Sequence, residues 1–202
     1  MKVAVLDLGM GNLLSIRRGL ERAGAEVVVA QSNGEAACAD ALVLPGVGAF
    51  RDGIRALRER FGEATDAACQ GKIPILGICL GMQLLFTRSY EGGEHHGLGV
   101  IRGDVVKLPP TVKVPHMGWN SIKVLREGEL TRGIGDGEYF YFVHSYYCLP
   151  AEGSVTIAAT EYGSTFPAVV EKGAVFGTQF HPEKSGSAGG AVIRNFLEAV
   201  KR

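Results

Sequence analysis

The sequence of 202 residues has no surplus of either charge: Lys and Arg number 21, Asp and Glu number 21, and the formal net charge at pH 7 is +0. A protein that holds phosphate backbones usually shows a basic excess, so nucleic acid is excluded in favour of a metabolite or a protein partner. Cysteine is scarce and dispersed, at Cys38, Cys69, Cys79 and Cys148. With no CxxC pair for zinc and no compact secreted framework, these read as reduced thiols. No apolar run reaches the roughly 20 residues that cross a bilayer. Met1 to Asp7 also lacks the features of a signal peptide, which predicts a soluble, cytoplasmic protein. The adjacent His95 and His96 point in different directions and make a poor metal site, and neither metal nor cofactor is expected. Linkers, repeats and low-complexity segments are missing too, so residues 1–202 read as one domain.

Apolar residues and glycine are abundant. Hydrophobic residues make up 46% of the chain, enough for a large core, and 29 glycines suggest many tight turns or close backbone approaches. The first half alternates apolar strands, at 2–8, 26–30, 41–44 and 73–78, with helical patterns. Helices are expected from Leu13 to Ala23, from Phe50 to Phe61, from Glu63 to Gln70 and from Leu80 to Phe86. This βα series predicts an α/β fold in three layers, with a mostly parallel central sheet between helices. Beyond Gly92 come shorter β-like runs at 99–107, 112–114, 121–125, 139–143, 155–160, 168–171 and 174–180. They predict an added antiparallel extension, closed by a helix from Ala191 to Val200.

The strongest local pattern is Gly77-Ile78-Cys79-Leu80-Gly81, where a buried strand runs straight into a helix. This is the layout of a nucleophile elbow with sulfur in place of a serine oxygen. Gly77 and Gly81 remove side chains that such a turn would crowd, and the start of a helix favours a thiolate. A base is expected at His181, which ends the apolar run from Val175. Two residues on, in an extended segment, Glu183 would face the imidazole and fix its tautomer. The Leu80 N–H and a second N–H, from Val47 in Pro45-Gly46-Val47-Gly48, are candidates for an oxyanion hole. A rival reading starts from Gly9-Met10-Gly11 as a dinucleotide-binding turn. It fails because Leu14 stands at the third glycine position and Val28-Val29-Ala30-Gln31 lacks the ribose-binding acid.

Gly77-Ile78-Cys79-Leu80-Gly81-Met82-Gln83 together with His181-Pro182-Glu183 resembles the class I glutamine amidotransferases, over essentially the whole chain. The resemblance implies a Cys79-His181-Glu183 triad that releases ammonia from glutamine through a thioester. It implies glutamine contacts from Gly46, Gly48, Gln83, Glu91, His144, Ser145 and Tyr146. Asp7 to Leu13, Pro45 to Gly48, Pro115 to Asn120 and Tyr141 to Tyr146 are similar to one branch of the family, serving histidine biosynthesis. That branch implies a heterodimer, with ammonia passing through a channel to a separate (β/α)8-barrel cyclase subunit. Asn12, Pro115, His116, Met117, Gly118, Trp119 and Asn120 would then face the partner. Glutaminase subunits for pyridoxal phosphate, anthranilate or GMP synthesis are the alternative.

Overall fold

The computed structural model describes residues 1–9 and 11–202; Met10, part of the turn expected after the first strand, lies outside the described residues. The first half of the chain forms β1 (Lys2–Leu6), α1 (Leu13–Arg22), β2 (Glu26–Ala30), α2 (Asn33–Ala37), β3 (Ala41–Leu44), α3 (Phe50–Cys69), β4 (Ile75–Ile78) and α4 (Leu80–Leu84). Strands then dominate: β5 (Phe86–Ser89), β6 (His95–His96), β7 (Ile101–Lys107), β8 (His116–Ser121), β9 (Lys123–Val124), β10 (Tyr139–His144) and β11 (Tyr146–Pro150). The chain closes with β12 (Thr156–Glu161), β13 (Thr165–Lys172), β14 (Val175–Thr178) and α5 (Gly186–Val200).

Among the described residues the main sheet has eight strands in the order β2-β1-β3-β4-β14-β13-β12-β9. Neighbours from β2 to β14 run parallel, and β13, β12 and β9 extend the sheet antiparallel. Alternation along β1 shows why the sheet needs cover on both sides. Val3 and Val5 pack with Ile16 and Leu20 of α1 and with Val192, Ile193 and Phe196 of α5, while Ala4 and Leu6 pack with Phe50, Ile54 and Leu57 of α3. Successive strand residues point to opposite faces, and both faces are dry. The expected three-layer α/β fold is therefore the observed one.

Helix limits follow local chemistry. Asn12 caps α1, its Oδ1 accepting from the Ser15 N–H at 3.2 Å, and Gly24 follows the helix at φ +96°. The two helices expected on either side of residue 62 meet end to end within α3, at a kink at Phe61, where φ is −135°. Three expectations are corrected. Residues 112–114 are an irregular bend rather than a strand. Phe86 opens β5 instead of ending a helix, its backbone paired with Ile101. The last helix starts at Gly186, five residues earlier than its apolar stripe suggests. The segment 115–120, read only as a motif, forms most of β8 and pairs antiparallel with β10.

Candidate active site

Strand β4 ends against α4 with a single residue between them. That residue, Cys79, has φ 54° and ψ −107°, and among the described residues it is the one non-glycine with positive φ. Such a conformation costs on the order of 1–3 kcal/mol and persists only when its surroundings impose it. They do so here through both glycines. A Cβ on Gly77 would stand 2.6 Å from the Gly81 carbonyl, and one on Gly81 would stand 1.8 Å from the Leu44 oxygen. Gly46 has a related task, because its own Cβ would fall 2.5 Å from Leu80 Cβ. The Pro45 to Gly48 loop thereby lies directly on the elbow.

Cys79 opens into a cavity of ≈ 250 Å3. Of the predicted residues, Val47, Gly48, Leu80, Gln83, Glu91, His144, Ser145 and Tyr146 line it with Cys79, and so does Pro115. Gly46 is placed behind this wall. It borders a second, narrow cavity that it shares with Asn12, Val47, His181, Glu183 and Lys184.

His181 and Glu183 are nearly inaccessible, their side chains 3% and 2% exposed, with Nδ1 to Oε1 at 2.8 Å. The route to this contact differs from expectation. Only His181 is extended; Pro182 to Lys184 form a 3-10 turn that folds Glu183 back onto the ring. Ser185 supports the turn by donating its hydroxyl to the His181 carbonyl at 2.6 Å, and the His181 N–H donates to the Tyr141 carbonyl of β10 at 2.9 Å. Burial pulls the His181 pKa down, but hydrogen bonding to Cys79 and Glu183 and the charges of both outweigh it and raise the value to about 10. Nε2 itself makes no hydrogen bond of normal length. Glu183 holds the ring at one nitrogen, and the other meets the Cys79 side chain across a longer contact.

The sulfur has two further neighbours that the sequence reading did not single out. The Gln179 amide donates to Sγ at 3.6 Å, and Sγ lies 3.6 Å from the Val143 carbonyl. Gln83 is buried and committed, its Nε2 donating to the Tyr146 carbonyl at 2.8 Å and to Gln179 Oε1 at 3.2 Å. Glu91 accepts from the Phe50 N–H at 2.7 Å and so caps α3 from across the pocket. These links join residues 63, 96 and 41 positions apart, which no local pattern announces.

The residues expected to meet a partner divide. Pro115 and Asn12 are exposed, Gly118 and Asn120 are half-buried, and Met117 and Trp119 are 64% and 57% exposed. His116 is the correction: it is buried, stacked 4.0 Å from Tyr162 and 5.0 Å from Phe142, so its side chain faces inward. Strand alternation explains this, since His116 points opposite to Met117. Burial lowers His116 to about 4, and burial lowers the neighbouring His144 to about 3.

A strained cysteine at the mouth of a cavity, backed by a buried His–Glu pair, has the layout of a thiol hydrolase of the amidotransferase kind. The sequence matches the family of class-I glutamine amidotransferases over residues 4–200. It is 48% identical over 200 residues to the imidazole glycerol phosphate synthase subunit HisH of Moorella thermoacetica, covering 98% of this chain and 95% of that one. It is 50% identical over 203 residues to the same subunit of Halobacterium salinarum, covering 97% and 92%. A crystal structure of a glutamine amidotransferase superimposes with a TM-score of 0.78 over 99% of both chains at 22% identity. The chain belongs to the class-I glutamine amidotransferases, on the HisH branch of that family.

Proposed function

We propose that this chain performs the glutaminase half of imidazole glycerol phosphate synthesis, with Cys79 as nucleophile, His181 as proton carrier and Glu183 as its anchor. The sulfur attacks the side-chain carbonyl carbon of glutamine, forming a C–S bond while the carbonyl electrons move to oxygen. The Leu80 and Val47 N–H groups stabilise that oxyanion. His181 donates its proton to the departing ammonia, and a thioester remains. Water then attacks the thioester with His181 as base, the C–S bond breaks, and glutamate leaves.

Gly46, Gly48, Gln83, Glu91, His144, Ser145 and Tyr146 are assigned to holding glutamine. In this reading the Glu91 carboxylate faces the substrate ammonium, and the Gly46 contribution comes through the loop it seats. Ammonia passes to a (β/α)8-barrel cyclase subunit docked over Asn12, Pro115, Met117, Gly118, Trp119 and Asn120. The exposed apolar Met117 and Trp119 on β8 support that face.

The observation that carries the reading is Cys79, strained open at the end of β4 beside a His–Glu pair 2.8 Å apart. The test is glutamate release from glutamine by the chain alone and with a cognate cyclase carrying its nucleotide ligand. Release that rises with the cyclase and falls by at least about 10³-fold in Cys79→Ala is expected, in line with the loss of a covalent nucleophile. Undiminished hydrolysis in Cys79→Ala would remove the assignment. Cys79-dependent hydrolysis indifferent to the cyclase would move the chain to another synthase partner.

A further inference from the structure

Two buried histidines, one from each strand of the β8–β10 ribbon, connect the outer strand to the pocket wall. His116 Nδ1 stands 3.0 Å from His144 Nε2, and His144 Nδ1 stands 2.9 Å from the Tyr146 carbonyl. At the other end Asn120 Nδ2 lies 3.4 Å from His116 Nε2. Which atom donates at each step follows from the ends of the chain. Asn120 Oδ1 accepts the Ser121 N–H at 2.9 Å, and Nδ2 donates to the Glu161 carbonyl at 3.0 Å. The amide is therefore oriented by two backbone groups, and it can offer His116 only a donor.

A donor at that point requires a bare Nε2 on His116, so the neutral ring carries its proton on Nδ1. That proton goes to His144 Nε2, which must be bare in turn, and His144 donates from Nδ1 to Tyr146. A carbonyl oxygen can only accept, and it terminates the series. A second proton on either ring would set donor against donor, at Asn120 or between the rings. Burial in the aromatic stack of Phe142 and Tyr162 penalises that charge further. The low values of His116 and His144 have the same cause, with His181 the other titratable group acting on His144.

We propose that Asn120, His116 and His144 form a one-way hydrogen-bond relay that fixes the Tyr146 carbonyl, making His116 a positioning residue for glutamine rather than a docking residue. The inference rests on the glutaminase reading above. Tyr146 and Ser145 line the cavity, and the same Tyr146 oxygen also receives Gln83. Loss of the relay frees that oxygen on one side and lets the wall shift, which weakens the grip on substrate more than the chemistry at Cys79.

Nitrogen-15 NMR of the full chain at pH 7 reads the protons directly. Both rings are expected to be neutral, with hydrogen on Nδ1 and Nε2 bare; an Nε2–H or charged His116 would overturn the relay. Asn120→Asp replaces the donor by an acceptor and should move the His116 proton to Nε2. His116→Phe keeps the stacked ring without its nitrogens. With the cyclase saturating, each variant should raise the KM for glutamine about fivefold to tenfold, the range of one neutral hydrogen bond, and in His116→Phe, which lies outside the docking face, kcat should change by less than about twofold. Unchanged KM in both variants would reduce the pair to a packing role and end the proposal. Wild-type protein without Cys79-dependent glutaminase would instead overturn the underlying reading, and the ring protons would distinguish the two failures.

Discussion

At the scale of single residues, the site depends on where side chains are missing as much as on where they stand. Gly81 shows this most sharply, because a methyl group there would lie 1.8 Å from the Leu44 oxygen. That oxygen belongs to β3 in the middle of the sheet, and it cannot give way without loss of strand pairing. Gly81→Ala is expected to destabilise the chain by about 2–3 kcal/mol, the upper range for overpacking, and to abolish glutaminase activity. A urea midpoint unchanged from wild type would contradict this. The Gly-x-Cys-x-Gly pattern made the elbow legible, since few other structures need both glycines. Gln179 was not legible in the same way. Its amide reaches the sulfur from 100 positions away, and in the sequence it is a polar residue near the end of an apolar run.

At the scale of elements, β8 and β10 form a two-stranded ribbon separate from the main sheet. Its outer side carries Met117 and Trp119, with Trp119 edge-on to Tyr141 at 6.1 Å. Trp119→Ala is therefore expected to leave the unfolding free energy within about 0.5 kcal/mol, as for surface changes generally. The same change should weaken cyclase binding by at least about thirtyfold, the effect of a central aromatic anchor. Urea melts and calorimetric titration measure the two separately, and a large loss of stability with intact binding would refute the assignment. The periodic elements of the first half were legible because their strands are short apolar runs and the helices α1 and α3 carry an apolar stripe. Helix α2 was not, its Asn33-Gly34-Glu35-Ala36-Ala37 having no stripe to read. Nor was the His181–Glu183 contact legible in its true form, because Pro182 fits an extended segment and the first position of a helical turn equally well.

At the scale of the whole molecule, three buried histidines set how stability depends on pH. His116 and His144 sit far below the ordinary histidine value, at about 4 and about 3. Unfolding lets them take up protons once the pH falls below about 6.5, so acid favours the unfolded chain. His181 lies on the other side, near 10. Its contribution is complete below about 6.5 and is lost as the pH climbs toward its folded value. Stability should therefore peak near neutrality, falling by about 4 kcal/mol from pH 7 to pH 5 through the first pair and declining again toward pH 9. Urea midpoints at pH 5, 7 and 9 test the shape. Glu183→Gln should flatten the alkaline arm and His116→Phe the acid arm, and a monotonic curve in the wild type would show that other groups govern the balance. None of this was visible in the sequence, where five histidines are scattered from 95 to 181 and their burial is a product of the fold.

The Tyr141 carbonyl holds the His181 N–H, and the Tyr141 N–H is held by Ser185, so the residue beneath Trp119 also supports the segment that carries His181 and Glu183. On the function proposed above, a substitution on the outside of this ribbon would bear on both partner choice and catalysis. Grafting another synthase's docking surface onto this chain would therefore require the turn from His181 to Ser185 to be transplanted with it. A small molecule wedged between Trp119 and Tyr141 would act on hydrolysis without ever entering the pocket.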